Sequence, residues 1–93
     1  MVASGDRSPI NMYYVYVLQS LRNGRLYTGS TNNLERRLME HNSGKSKYTK
    51  FTAPFKLLYN EKYESRSEAC KRELYLKTGK GREFLKDVLD LRE

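Results

Sequence analysis

Six residues could handle protons, phosphate or metal if the fold brought them together: the strand tyrosines Tyr14, Tyr16 and Tyr27, with Arg37, His41 and Glu73. Arg37 and His41 are four residues apart, so on a helix they project from the same side. Arg37 is a permanent cation whose planar fork matches phosphate oxygens. His41, the only histidine, can accept or relay a proton near neutral pH. A tyrosine hydroxyl at a strand end can activate or orient water where a metal or an arginine lowers its pKa. Glu73 falls beside Leu74 in a helical stretch, where a carboxylate near an apolar stripe costs free energy unless it is paired or binds a cation. Each residue also has a plainer reading. Strand tyrosines are most often packing. Arg37 lies beside Arg36 and Glu35 on what reads as a solvated helix face, and His41 suits a half-buried helix end. Glu73 can pair with Lys77 one helical turn on.

The elements that must position these groups are legible around them. Residues 1–11 are small, polar and irregular and read as a disordered leader or tag, with the natural start at Met12. Tyr13 to Ser20 reads as a strand covered on both faces, since nearly every residue is aromatic or apolar. Asn23-Gly24 turns the chain, and Arg25 to Thr28 or beyond returns as the second half of an antiparallel hairpin. Gly29 either ends that strand or lets another backbone approach closely. Helix one spans about residues 33–42, with Asn32 as its N-cap and Glu35 completing a capping arrangement. A basic loop follows, Lys45-Ser46-Lys47-Tyr48-Thr49-Lys50. Phe55 to Tyr63 reads as a third strand. Ser65 and Glu68 form a capping box for helix two, which runs to about Thr78, where Gly79 and Gly81 stop it. Its inner side is read as Ala69, Cys70, Leu74 and Leu76 or Lys77. Helix three, about residues 82–91, carries Phe84, Leu85, Val88 and Leu89 as a core stripe. The expected fold class is α/β (α+β): a small three-stranded antiparallel sheet flanked by about three helices.

Bulk properties narrow the field. Ninety-three residues make one domain with a modest core, assigned here to residues 12–93. Lys plus Arg number 18 against 11 Asp plus Glu, and the net charge of +7 favours a polyanionic partner, most commonly nucleic acid. The single cysteine, Cys70, allows neither an internal disulfide nor a cysteine-based zinc site and reads as a small core residue. No apolar run is long enough for a membrane span and no secretory signal is visible, so a cytoplasmic setting is expected.

Taken together, the motifs resemble the GIY-YIG nuclease superfamily, over about residues 13–91. Its first signature corresponds to Tyr14-Val15-Tyr16 and its second to Tyr27-Thr28-Gly29, with Tyr16 and Tyr27 eleven residues apart. The family's catalytic arginine falls ten residues beyond the second signature tyrosine, at Arg37, and its partner histidine four further on, at His41. The family's metal-binding glutamate corresponds to Glu73 in Glu68-Ala69-Cys70-Lys71-Arg72-Glu73, and Asn33 matches a recurrent structural position. The match is strongest to the small stand-alone bacterial members. Tyr14 stands where the first signature has Gly, and Thr28 where the second has Ile. Neither change removes a catalytic group.

The resemblance implies a metal-dependent DNA endonuclease that hydrolyses phosphodiester bonds, with a repair or recombination role by analogy. Glu73 would hold one Mg²⁺ or Mn²⁺, and Arg37 would neutralise charge growing on the phosphate. One of Tyr16 and Tyr27 would act as general base while the other orients the water, with His41 in support. Arg36, Lys45, Lys47, Tyr48 and Lys50 are the expected contacts to the nucleic-acid backbone. RNA remains open as a substrate beside DNA. A monomer is the default, with a dimer as the alternative if two nicks must be coordinated. The competing readings are a non-catalytic nucleic-acid-binding module of the same fold and a protein-interaction domain using the tyrosine-rich surface.

Overall fold

The computed structural model describes residues 12–44 and 51–89. Its elements in chain order are β1 (Tyr13–Ser20), β2 (Leu26–Thr31), α1 (Leu34–Asn42), β3 (Phe55–Tyr63), α2 (Arg66–Leu76) and α3 (Gly79–Leu89). The leader assigned to residues 1–11 and the end of the third helix at residues 90–91 lie outside the described residues.

β1 is the central strand of an antiparallel sheet of order β2-β1-β3. Alternation along it divides the core in two. Val15 and Val17 pack with Ala69 and Leu76 of α2 and Leu85 of α3. Tyr16 and Leu18 turn to the opposite face and pack with Phe55, Leu34 and Leu38 beneath α1. One face of the sheet is thus covered by α1 and the other by α2 and α3. This is the expected α/β fold, a three-stranded antiparallel sheet with three helices. The hairpin register sets Tyr16 opposite Gly29 and Leu18 opposite Tyr27. On the β3 side, Val17 faces Tyr59 but Leu18 faces Leu57, so Leu58 is the extra residue of a bulge. Ser20, buried at the end of β1, closes the hairpin. Its Oγ accepts from the Arg22 and Asn23 amides, each at 3.1 Å, and donates to the Thr52 carbonyl at 2.6 Å.

Several expectations need correction. Gly29 does not end the return strand, which runs on to Thr31, and the group that comes close to it is the Tyr16 side chain rather than another backbone. The N-cap of α1 is Asn33, not Asn32, because the Asn33 side chain accepts from the Arg36 amide at 3.0 Å. Gly79 and Gly81 do not stop α2; they form the first turn of α3. α2 ends at Leu76, and the Thr78 hydroxyl accepts from the Gly81 amide at 3.1 Å, beginning the next helix at once. A Cβ at Gly81 would lie 2.8 Å from the Leu76 carbonyl carbon, so the tight α2–α3 corner requires glycine there. Cys70 is exposed rather than core, as are Leu74 at 66% and Val88 at 47%.

The inner side of α2 is instead Ala69, Arg72 and Leu76, at i, i+3 and i+7. Arg72 is tolerated there because it is paired with a carboxylate and stacked on aromatic rings. Its Nε and Nη2 donate to the two oxygens of Glu61 on β3 at 2.9 and 3.1 Å, and its guanidinium lies over the rings of Phe84 and Tyr75. The Tyr59 and Tyr63 hydroxyls donate to the same carboxylate. Burial works to raise the Glu61 pKa, but the bonds from Arg72, Tyr59 and Tyr63 carry it below the usual value. Burial, with Glu61 as acceptor, pushes the Tyr59 phenol up to about 12.

Candidate active site

The hairpin and α1 build one side of the site. Asn33 caps α1 while its own amide donates to Thr31 Oγ1 at 3.1 Å, so the helix starts at a fixed angle directly off β2. At the other end, Asn42 grips the start of β3 through both side-chain atoms. Its Oδ1 accepts from the Phe55 amide at 2.6 Å, and its Nδ2 donates to the Phe55 carbonyl at 3.2 Å. With both ends tied down, Arg37 and His41 are presented to the sheet from successive turns.

They converge on Tyr16. Arg37 Nε donates to the Tyr16 hydroxyl at 3.4 Å, and His41 Nε2 lies 3.3 Å from the same oxygen. A hydroxyl that accepts from Arg37 has its own proton to give, and the Nε2 of a neutral imidazole can take it. His41 is buried, with its ring edge-on to both Tyr16 and Phe55. Burial, and then the nearby Arg37 charge, lower its pKa below the ordinary 6.5, which favours the neutral form. Arg37 is held protonated, first by its bond to Tyr16 and then by Glu40, whose Oε1 accepts from Nη1 at 2.8 Å. Gly29 makes room for the phenol: a Cβ there would stand 2.7 Å from Tyr16 Cζ.

Tyr27 shares this face, diagonal to Tyr16 across the hairpin. Its ring meets Phe55 edge-on at 5.2 Å, and packing rather than a hydrogen bond holds it among the described residues. Tyr14 is half-buried between Thr31 and Lys62 on neighbouring strands.

Glu73 comes from the other side of the sheet. Its Oε1 accepts from Ser30 Oγ at 2.8 Å and its Oε2 from Lys77 Nζ at 2.9 Å. Ser30 pairs with Val15 and so faces α2, whereas its neighbour Gly29 faces Tyr16. The structure therefore joins Tyr16, Arg37 and His41 directly and adds Tyr27 through the aromatic cluster. It sets Glu73 on the α2 side of β2, the edge strand, bonded to Ser30 and Lys77 rather than to any of the four. The pairing with Lys77 that helical spacing allowed is present.

Arg36 is exposed, with its Nε 3.5 Å from Glu40. Lys45, Lys47, Tyr48 and Lys50 lie outside the described residues. Sequence reasoning missed Glu40, Asn42 and Ser30. Only Glu40 left a signal, standing three and four residues after the two arginines it pairs with.

Among the described residues no cluster of three or more His, Cys, Asp or Glu side chains could enclose a metal ion. Glu73, with 21% of its side chain exposed, is a single hard-oxygen ligand beside the Ser30 hydroxyl. That suits Mg²⁺, or an ion like it, which keeps several waters and needs one or two carboxylates plus substrate phosphate.

Comparisons with known proteins give the family and agree with the fold. Residues 12–86 match the GIY-YIG catalytic domain. A UPF0213 protein of Bacillus licheniformis is 50% identical over 68 residues, covering 72% of this chain and 69% of that one. One of Staphylococcus saprophyticus is 40% identical over 70 residues, covering 74% and 84%. The solution NMR structure of a UPF0213 protein from Bacillus halodurans aligns with a TM-score of 0.51 at 35% identity, over 83% of this chain and 84% of that one. None of the described helices is long and apolar enough to cross a membrane. With the domain match spanning both tyrosine signatures, Arg37, His41 and Glu73, the chain belongs to the GIY-YIG family.

Proposed function

We propose that this chain is a metal-dependent endonuclease that hydrolyses phosphodiester bonds in DNA. The observation that carries this reading is the Tyr16 hydroxyl held between Arg37 and His41, on a chain that also keeps Tyr27 and Glu73. Nucleases of this family use a divalent cation, and Glu73 with Ser30 would hold it. When bound, the ion supplies charge stabilisation to the phosphate and the leaving oxygen. The chain's own groups do the rest. Arg37, already aimed by Glu40, neutralises charge on the phosphate. Tyr16 passes its proton to His41 Nε2, which a lowered pKa leaves neutral and open to receive it, and the phenolate then takes the proton of the attacking water. Tyr27, bound to no other described residue through its hydroxyl, orients the attacking water. The division of labour thus gives Tyr16 the base role and Tyr27 the positioning role. A cytoplasmic monomer acting in DNA repair or recombination fits this reading by analogy only.

The test is a screen of purified protein over duplex, flap, branched and single-stranded DNA with Mg²⁺ or Mn²⁺. Nicking that chelator and Glu73→Gln both abolish is the expected result. No metal-dependent cleavage of any form would sink the proposal.

One observation favours a second reading, a nucleic-acid-binding module that does not cleave. Glu73 is ion-paired with Lys77 and lies across the sheet from Tyr16. That module would bind DNA in a salt-sensitive way with no turnover under any metal.

A further inference from the structure

A groove of ≈ 700 Å³ runs along β2 on the side covered by α2 and α3, away from α1. Four cations from three elements line it: Arg25 at the start of β2, Lys77 at the end of α2, and Arg82 and Lys86 on α3. All four are exposed. Its floor is sealed by Leu76 and Leu85, which are themselves buried, and no carboxylate lines it. Among the described residues no carboxylate pairs with Arg25, Arg82 or Lys86. Arg82 and Lys86 are i and i+4 on one helix, a like-charge spacing that costs stability unless an anion relieves it. The fourth cation, Lys77, is the one bonded to Glu73, so the groove leads along the edge strand to the candidate metal ligand.

We propose that this groove binds the sugar–phosphate backbone of the DNA and directs it across the β2 edge to the reacting phosphate. Arg25 and Arg82 grip phosphate oxygens through their planar forks, and Lys86 adds a point charge one turn along α3. Such a path lies across the sheet from Arg36 and α1. It also gives the placement of Glu73 a purpose: a strand entering from the groove meets Glu73 first and Arg37 beyond the edge. The identity of the polyanion rests on the endonuclease reading.

The experiment measures binding in chelator, so that no turnover intervenes, to a labelled oligonucleotide and to its duplex over a range of salt. Arg25→Gln/Arg82→Gln/Lys86→Gln is compared with Lys56→Gln/Lys62→Gln/Lys71→Gln, which removes the same charge from exposed positions elsewhere. Expected is at least a tenfold greater loss of affinity for the groove variant. Its log K against log [salt] slope on duplex should also fall by about 0.9 for each phosphate contact removed. Equal losses for the two triple variants on both DNA forms would overturn the proposal, because binding would then follow net charge. If the triple variant does not fold, Arg82→Gln alone should still reduce the slope by about 0.9, and an unchanged slope counts against the groove. Cleavage by the wild type with Mg²⁺ or Mn²⁺ is scored separately. A groove effect without cleavage removes the endonuclease reading alone, and cleavage without a groove effect removes this proposal alone.

Discussion

At the scale of single residues, Tyr16 is the hub, and its neighbours have little freedom. Gly29 is closely fitted, because a methyl group there would enter the phenol ring whose hydroxyl lies between Arg37 and His41. Gly29→Ala should cost about 1–3 kcal/mol, by analogy with overpacking a core, and should also displace the hydroxyl. Thermal melts and cleavage rates would check both, and an unchanged melt would show that Tyr16 can move. His41 gives a pH signature with a definite sign. Its folded pKa lies below the 6.5 of the unfolded chain, so the unfolded state binds the extra proton first. The stability this group contributes is full above pH 6.5 and is lost as pH falls through the folded value. The melting temperature should therefore drop on acidification below about 6.5, and His41→Asn should flatten that part of the profile. This grouping was legible in the sequence as spacing: Tyr16, Tyr27, Arg37 and His41 lie on a hairpin and its adjoining helix, where local geometry dictates who meets whom. Which tyrosine receives Arg37 was not legible, because it depends on the strand register.

At the scale of elements, caps and one paired network set the angles. Asn33→Ala should cost about 1 kcal/mol, and Asn33→Ser should restore most of it. A cleavage rate falling with the first and recovering with the second would show that the cap also aims Arg37. The Glu61–Arg72–Tyr59–Tyr63 network fixes how α2 sits on the sheet, and Glu73 is the next residue after Arg72. Glu61→Gln leaves Arg72 half-paired and should cost about 1–3 kcal/mol by denaturant melt. A cost near zero would mean that the aromatic contacts of Arg72 alone hold the helix. The same network explains why α2 was misread. Hydrophobic periodicity cannot find an inner face whose middle position is a paired arginine, so Cys70 and Leu74 were assigned to a core they do not enter. The α2–α3 boundary failed for a related reason. Glycines at a helix end usually mean a stop, but Gly81 is there so that a second helix can start against the first. Strand limits, by contrast, followed from composition: β1 and β3 fall where their aromatic and β-branched runs place them.

At the scale of the whole molecule, the sheet divides the chemistry as well as the core. The phenol, guanidinium and imidazole lie under α1; the carboxylate and the basic groove lie on the side of α2 and α3; β2 is the thin edge between them. No pattern in the sequence shows that Glu73 is on the far side, because faces are set only when three distant strands pair. An endonuclease built this way must serve one phosphodiester from both faces of β2. Single-turnover cleavage by the wild type, Arg37→Ala, Glu73→Gln and the double variant, each checked for an unchanged melt, tests that requirement most directly. The predicted result is a loss of about 10²–10³-fold for each single variant, with the double variant well short of the product of the two, as for groups acting in one step. Full cleavage by either single variant, or no cleavage by the wild type under any metal, would contradict it.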